Sequence, residues 1–191
     1  MKRMEADDAA LVAQARTGDQ EAFRGLVERH SRAVFRLAYR MTGNEQDAED
    51  VVQETFLRAY RRLDQFEMKS QLGSWLHRIA ANCAYDLLRT RARRAEDPLE
   101  GEPDEGPSPA PASLTPAPDR LVWSAEVGRR VKTAMGRLSH VEKSAFVLRH
   151  YEGLTMEEIG GVLGVEANAA KHTVFRAVRK LREALEPLVV S

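Results

Sequence analysis

The chain has 191 residues with 29 basic and 29 acidic side chains, and 43% of its residues are hydrophobic. That length allows one large domain or two small ones. No apolar run approaches the roughly 18 to 20 residues of a membrane span, and the N-terminus MKRMEADDAALVAQ lacks the continuous apolar core of a signal peptide. The expected place is therefore the cytoplasm, with no insertion into a membrane. Cys83 is the sole cysteine, which excludes an internal disulfide and leaves the usual zinc sites short of ligands. It lies on an apolar helical stripe and reads as a small buried hydrophobe rather than a reactive thiol. The sequence offers no nucleophile-base pair, metal cluster or phosphate-binding glycine loop, which argues against an enzyme and against a cofactor.

Taken by segment, the balance of charge dissolves. Residues 1–22 carry three bases and five acids, residues 23–94 fourteen and nine, residues 95–119 none and seven, and residues 120–191 twelve and eight. Basic blocks at 1–94 and 120–191 thus flank an acidic connector, AEDPLEGEPDEGPSPAPASLTPAPD, that holds seven of the eight prolines and no aromatic residue. Such a segment cannot bury enough apolar surface to fold alone, so an extended, solvated linker is expected. A binding tail for a further partner is the alternative.

Both flanking blocks read as helical. From Glu21 to Tyr39 the residues Ala22, Phe23, Leu26, Val27, Ala33, Val34, Leu37 and Ala38 recur at helical intervals, and TGNEQD supplies a stop and a new start. In DAEDVVQETFLRAYRRL, Asp47, Glu49 and Asp50 open the next helix, and Arg58, Arg61 and Arg62 close it, an order that suits the helix macrodipole without invoking function. At 100° per residue, Ala48, Val51, Val52, Thr55, Phe56, Ala59, Tyr60 and Leu63 fill one arc, and Asp50, Gln53, Glu54, Leu57, Arg58 and Arg61 the other. A single leucine on a polar face is ordinary. Set in a mixed polar rim, Leu57 also matches a surface that meets another protein.

After Phe66 comes a short polar stretch with Lys69, Ser70, Gln71 and Gly73, then a helix with the stripe Leu76, Ile79, Ala80, Cys83 and Leu87. Trp75 at its start is expected to pack on the preceding layer. Arg78, Asn82, Tyr85, Arg89 and Arg93 fall three or four residues apart on another side. Cations, an amide and an aromatic in one row suit single-stranded nucleic acid, and a solvated basic face would share only the arginines.

In the last block a helix ends near Tyr151 and Gly153, and Thr155 with Glu158 forms a capping box for the next. IGGVLGV then sets Gly160 and Gly161 where helices cross closely and Gly164 at a tight turn, a helix-turn-helix pattern. The final helix is expected to bury Val174, Ala177, Val178 and Leu181, leaving Phe175 among the residues for other faces. In this motif the second helix enters the major groove N-terminus first. Asn168, Lys171, His172 and Thr173 are then candidates for base edges, and Arg176, Arg179 and Lys180 for phosphates. A plain surface histidine is the competing reading of His172.

DAEDVVQETFLRAYRRL, WLHRIAANCAYDLLR and LTMEEIGGVLGV, followed by a basic helix, resemble in this order the extracytoplasmic-function (ECF) sigma factors of the sigma-70 family. The resemblance runs from about Ala22 to Leu185 and implies an all-α fold of two small helical domains, region 2 in residues 1–94 and a region 4 helix-turn-helix in residues 120–191, joined by linker 95–119. It implies that Asp50, Gln53, Glu54, Leu57 and Arg58 meet core RNA polymerase. It further implies that Lys69, Ser70, Gln71, Arg78, Asn82, Tyr85 and Arg89 capture the unpaired minus-ten strand of promoter DNA, with a flipped base in the loop. Asn168, Lys171, His172, Thr173, Arg176, Arg179 and Lys180 would read the minus-thirty-five element as duplex. An anti-sigma factor that masks both faces is a further expected partner. The sequence departs from the family pattern where Asn168, Ala169 and Ala170 open the last helix, and where the loop EMKSQLGS has no aromatic near Leu72. A duplex-binding regulator that works without polymerase and a helical protein-binding adaptor are the other readings.

Overall fold

The computed structural model describes residues 2–67, 71–96 and 128–186. Among these residues the secondary structure is helical throughout, and the chain divides into an N-terminal and a C-terminal compact unit. From Asp97 onward the expected connector lies outside the described residues.

The N-terminal unit consists of α1 (Lys2–Arg16), α2 (Gln20–Thr42), α3 (Glu45–Arg61), a 3-10 turn (Leu63–Gln65) and α4 (Leu72–Glu96). The sequence pattern marks α2 to α4 but not α1. Helix α1 buries Val12 and Ala15, and polar contacts add to its attachment. The Asp8 carboxylate meets Nε2 of His30 at 3.0 Å and Nη1 of Arg29 at 3.2 Å. Arg16 donates to the Leu63 carbonyl at 3.1 and 3.0 Å and also to the Phe66 carbonyl.

Local chemistry sets the helix ends. The Asp19 side chain accepts from the Glu21 and Ala22 amides at 2.9 and 3.1 Å and so caps α2. Gly43, in the left-handed region at φ 77°, closes that helix, and the Asn44 side chain starts α3 by accepting from the Asp47 amide at 3.0 Å. Leu26, Val34, Leu37 and Met41 of α2, Val51 and Phe56 of α3, and Leu76 and Ala80 of α4 are buried in the core. Helix α4 packs against both α2 and α3 and therefore buries a broader arc than its expected stripe, taking in Ala81, Ala84 and Tyr85. Asp47 is also inside, ion-paired to Arg91 of α4, so this first-turn acid ties two helices together besides facing a dipole.

The C-terminal unit consists of α5 (128–136), α6 (His140–His150), α7 (Met156–Leu163) and α8 (Ala167–Leu185). Two capping boxes start α6 and α7. One is the expected Thr155 and Glu158 pair, with bonds of 2.9 and 3.2 Å. The other pairs Ser139 with Glu142, at 3.0 and 3.2 Å. Gly164 adopts φ 69° at the turn between α7 and α8. A Cβ on Gly160 would lie 2.6 Å from the Val165 carbonyl oxygen, so glycine is required there by the backbone of the turn itself. Gly161 faces open space, which corrects the expectation that both glycines serve a close crossing. Ala145, Val147, Leu148, Ile159, Leu163, Ala170, Val174, Ala177 and Leu181 form the core, with Val178 only half-buried.

Candidate nucleic-acid interface

On α3, Asp50, Gln53 and Leu57 are exposed, and Leu57 keeps 44% of its surface in solvent. Tyr60, placed by the helical wheel on the core arc, is exposed and packs edge-on against Phe23, with ring centroids 4.9 Å apart. Glu54 and Arg58 are bonded to each other at 2.6 Å, and Arg58 reaches Asp86 of α4 at 3.7 Å. Asp86 in turn lies 3.6 Å from Arg89. The residues expected to meet polymerase and one of those expected to meet DNA are thus linked through Asp86, an acid the sequence pattern gave no reason to single out. The Glu54 hydrogen bond, outweighing partial burial, raises the pKa of the Arg58 guanidinium.

On α4, Arg78, Asn82 and Arg89 are exposed, as is Gln71 just before it. The Asn82 amide donates to the Arg78 carbonyl at 2.8 Å, so it must give up a bond within its own helix before it can meet a base. Lys69 and Ser70 lie outside the described residues. Tyr85 is a correction. It is only 7% exposed because α4 is sandwiched between two helices, and it cannot stack on a base from that position. Trp75 is half-buried, its ring centroid 5.1 Å from that of Phe66, in line with packing on the preceding layer. Cys83 is buried, and desolvation pushes its thiol up, away from reactivity.

On α8 the exposed side chains fall into two groups. Asn168, Lys171 and His172, in the N-terminal half, are exposed and have no hydrogen-bond or ion-pair partner among the described residues. Phe175 follows on the same side and is 65% exposed, a large apolar surface off the buried stripe, as the spacing predicts. Three cations further along are paired. Lys180 donates to Glu142 at 2.7 Å, Arg176 lies 3.8 Å from the same carboxylate, and Arg179 pairs with Glu183 at 3.8 Å. Burial pushes the Glu142 carboxyl up, but the hydrogen bonds from Lys180 and the Ser139 amide more than offset this and hold it below its ordinary value.

One expected contact on α8 is corrected, and another cation is paired within the fold. Thr173 is 5% exposed and donates to the Ala169 carbonyl at 2.9 Å, so it faces the core rather than a base edge. Lys180 is taken up by Glu142, a partner on another helix that the sequence spacing could not reveal. The SxxE spacing of Ser139 and Glu142 was the available signal for that carboxylate.

Comparison with known proteins bears on both units. Residues 26–94 match sigma-70 region 2, and residues 128–181 match sigma-70 region 4. The ECF RNA polymerase sigma factor SigE of Mycolicibacterium smegmatis is 36% identical over 172 residues, an alignment covering 88% of this chain and 65% of that protein. SigW of Bacillus subtilis, also an ECF RNA polymerase sigma factor, is 30% identical over 179 residues, covering 93% of this chain and 96% of that protein. A co-crystal structure of the sigma factor RpoE with the anti-sigma factor NepR from Bartonella quintana matches with a TM-score of 0.64 and 27% identity, over 86% of this chain and 96% of that one. With two sigma-70 regions in order and near-complete coverage of such a relative, the chain belongs to the ECF sigma factors of the sigma-70 family.

Proposed function

We propose that the chain binds core RNA polymerase, directs it to promoters and helps open the DNA there, without chemistry of its own. The observation that carries this reading is the pairing of a region 2 unit with a region 4 unit on one chain. Asp50, Gln53, Glu54, Leu57 and Arg58 form the surface for polymerase, with exposed Leu57 as its apolar centre. Gln71, Arg78, Asn82 and Arg89 take the unpaired minus-ten strand together with Lys69 and Ser70. Asn168, Lys171 and His172 read the minus-thirty-five duplex in the major groove, with Phe175 available to a thymine methyl group and Arg179 to phosphates. The Arg179 pair with Glu183 is exposed at both ends and breaks at little cost when a phosphate is offered.

An anti-sigma factor is the natural regulator in this reading, supported by the likeness to a sigma factor solved with one. The site of action is the cytoplasm, and among the described residues no helix is long and apolar enough to cross a membrane. Reconstitution tests the whole. Core polymerase plus this chain should start transcripts at discrete sites on chromosomal fragments that core alone does not use. A chain that binds duplex but yields no new starts with core polymerase would be a plain regulator, and the proposal would fail.

A further inference from the structure

Glu142 is an unusual acid for a surface meant to meet DNA. It is 5% exposed, yet it faces two cations of the proposed reading helix. One carboxylate oxygen accepts from Lys180 Nζ at 2.7 Å and from the Ser139 amide at 3.0 Å. The other lies 3.8 Å from Arg176 Nε. Arg176 is held from a second side, because its Nη2 donates to the Thr173 hydroxyl at 3.4 Å, and that hydroxyl is itself fixed to the Ala169 carbonyl. The cap of α6 alone requires no charge, since glutamine completes a capping box as well as glutamate does. The charge at this position therefore calls for another explanation.

A cation already neutralised by the protein releases no net counterion when it meets a phosphate, and sequence-blind affinity for DNA grows with the number of phosphates neutralised. Discrimination comes from base edges instead. We propose that Glu142 is a positioning residue that sets the selectivity of α8: by holding Lys180 and Arg176 it withholds two sequence-blind charges from the DNA backbone and leaves recognition to Asn168, Lys171 and His172. This rests on the reading of α8 as the duplex-reading helix and deepens it, because it makes an acid, and not a further base, the determinant of specificity.

The test uses the full chain, a duplex selected by the wild-type protein from a random pool, and a scrambled duplex of the same composition. Glu142→Gln keeps the cap and frees cations whose side chains are already 57% and 43% exposed, so neither is stranded. Binding to the scrambled duplex should rise about three- to tenfold near 0.1 M salt, and the slope of log affinity against log salt should steepen by about one to two units. Binding to the selected duplex should gain less, so the preference narrows, while the thermal transition shows the fold intact.

Lys180→Gln supplies an independent arm if the first variant folds poorly. It should leave the wild-type salt slope unchanged, whereas a lysine already on a phosphate would make the slope shallower by about 0.9 on removal. Glu142→Gln with unaltered slope and unaltered scrambled-duplex affinity overturns the proposal, as does a shallower slope for Lys180→Gln. A wild-type chain that binds no duplex at all removes the reading of α8 and this proposal with it, an outcome distinguishable from the other two.

Discussion

The exposed faces of α4 and α8 are both basic, yet their polar groups are deployed differently. On α4, Arg89 lies beside Asp86 and the Asn82 amide is bonded to its own helix. On α8 the N-terminal half carries Asn168, Lys171 and His172 with no polar partner among the described residues, and the acid-held cations come later. Positive charge alone therefore does not mark a site. What separates the two faces is how much each must give up before it can bind. In the proposed function this leaves the α8 face ready for a rigid duplex, while the α4 face would exchange internal bonds for those of a strand.

The sharpest way to break the comparison is to remove one face entirely. Gly160→Val would drive a side chain into the Val165 carbonyl, where even a Cβ sits at 2.6 Å. It should cost the C-terminal unit about 3 kcal/mol or more. Duplex binding should be lost while retention of core polymerase by the N-terminal unit persists, as seen by pull-down alongside calorimetry. Leu57→Arg should do the converse, weakening polymerase retention by about tenfold, which is about 1.4 kcal/mol, with an unchanged circular dichroism spectrum.

Substitutions within α8 sharpen the contrast at a finer level. Lys171→Ala should make the salt dependence of duplex binding shallower by about one unit if it meets a phosphate, or cost about 1 to 3 kcal/mol at one base pair if it reads an edge. Titrations on the selected duplex at several salt concentrations separate the two outcomes, and no change in either would remove Lys171 from the interface.

The smallest effect concerns stability. Burial lowers the pKa of the Lys143 ammonium of α6. The unfolded chain then binds more protons than the folded one between that lowered value and the ordinary 10.5, so stability rises with pH across this window. Below the window the cost of the half-buried charge is present in full. Lys143→Met should raise the melting temperature of the C-terminal unit by a few degrees at neutral pH, with the gain shrinking as pH approaches 10.5. A gain independent of pH would point to packing instead.

Features set by local chemistry were legible in the sequence. The Thr155 and Glu158 box, the left-handed turn at Gly164 and most of the α8 stripe depend on residues within a few positions of one another, and each has a recognisable pattern. Features set by a distant partner were not. Tyr85 shares a spacing with exposed Arg78 and Asn82, but α4 lies against two helices and the wider arc takes the tyrosine inside. Thr173 sits between exposed residues of α8 and is buried for a similar reason, while Lys180 looked like any basic residue until α6 brought Glu142 to it. Helix α1 lacks a clear apolar stripe: it buries Val12 and Ala15, and Arg16, Asp8, His30 and backbone carbonyls add to its attachment. At Gly160 the need for glycine was readable, but its cause, the carbonyl of the following turn, was not.

The central claim is that the two units act on one promoter in different DNA states, and footprinting of the reconstituted holoenzyme tests it most directly. Permanganate should detect unpaired thymines in the downstream box, and hydroxyl radicals should show protected duplex at the upstream box of the same molecules. Protection upstream by the holoenzyme with no strand opening downstream would contradict the account.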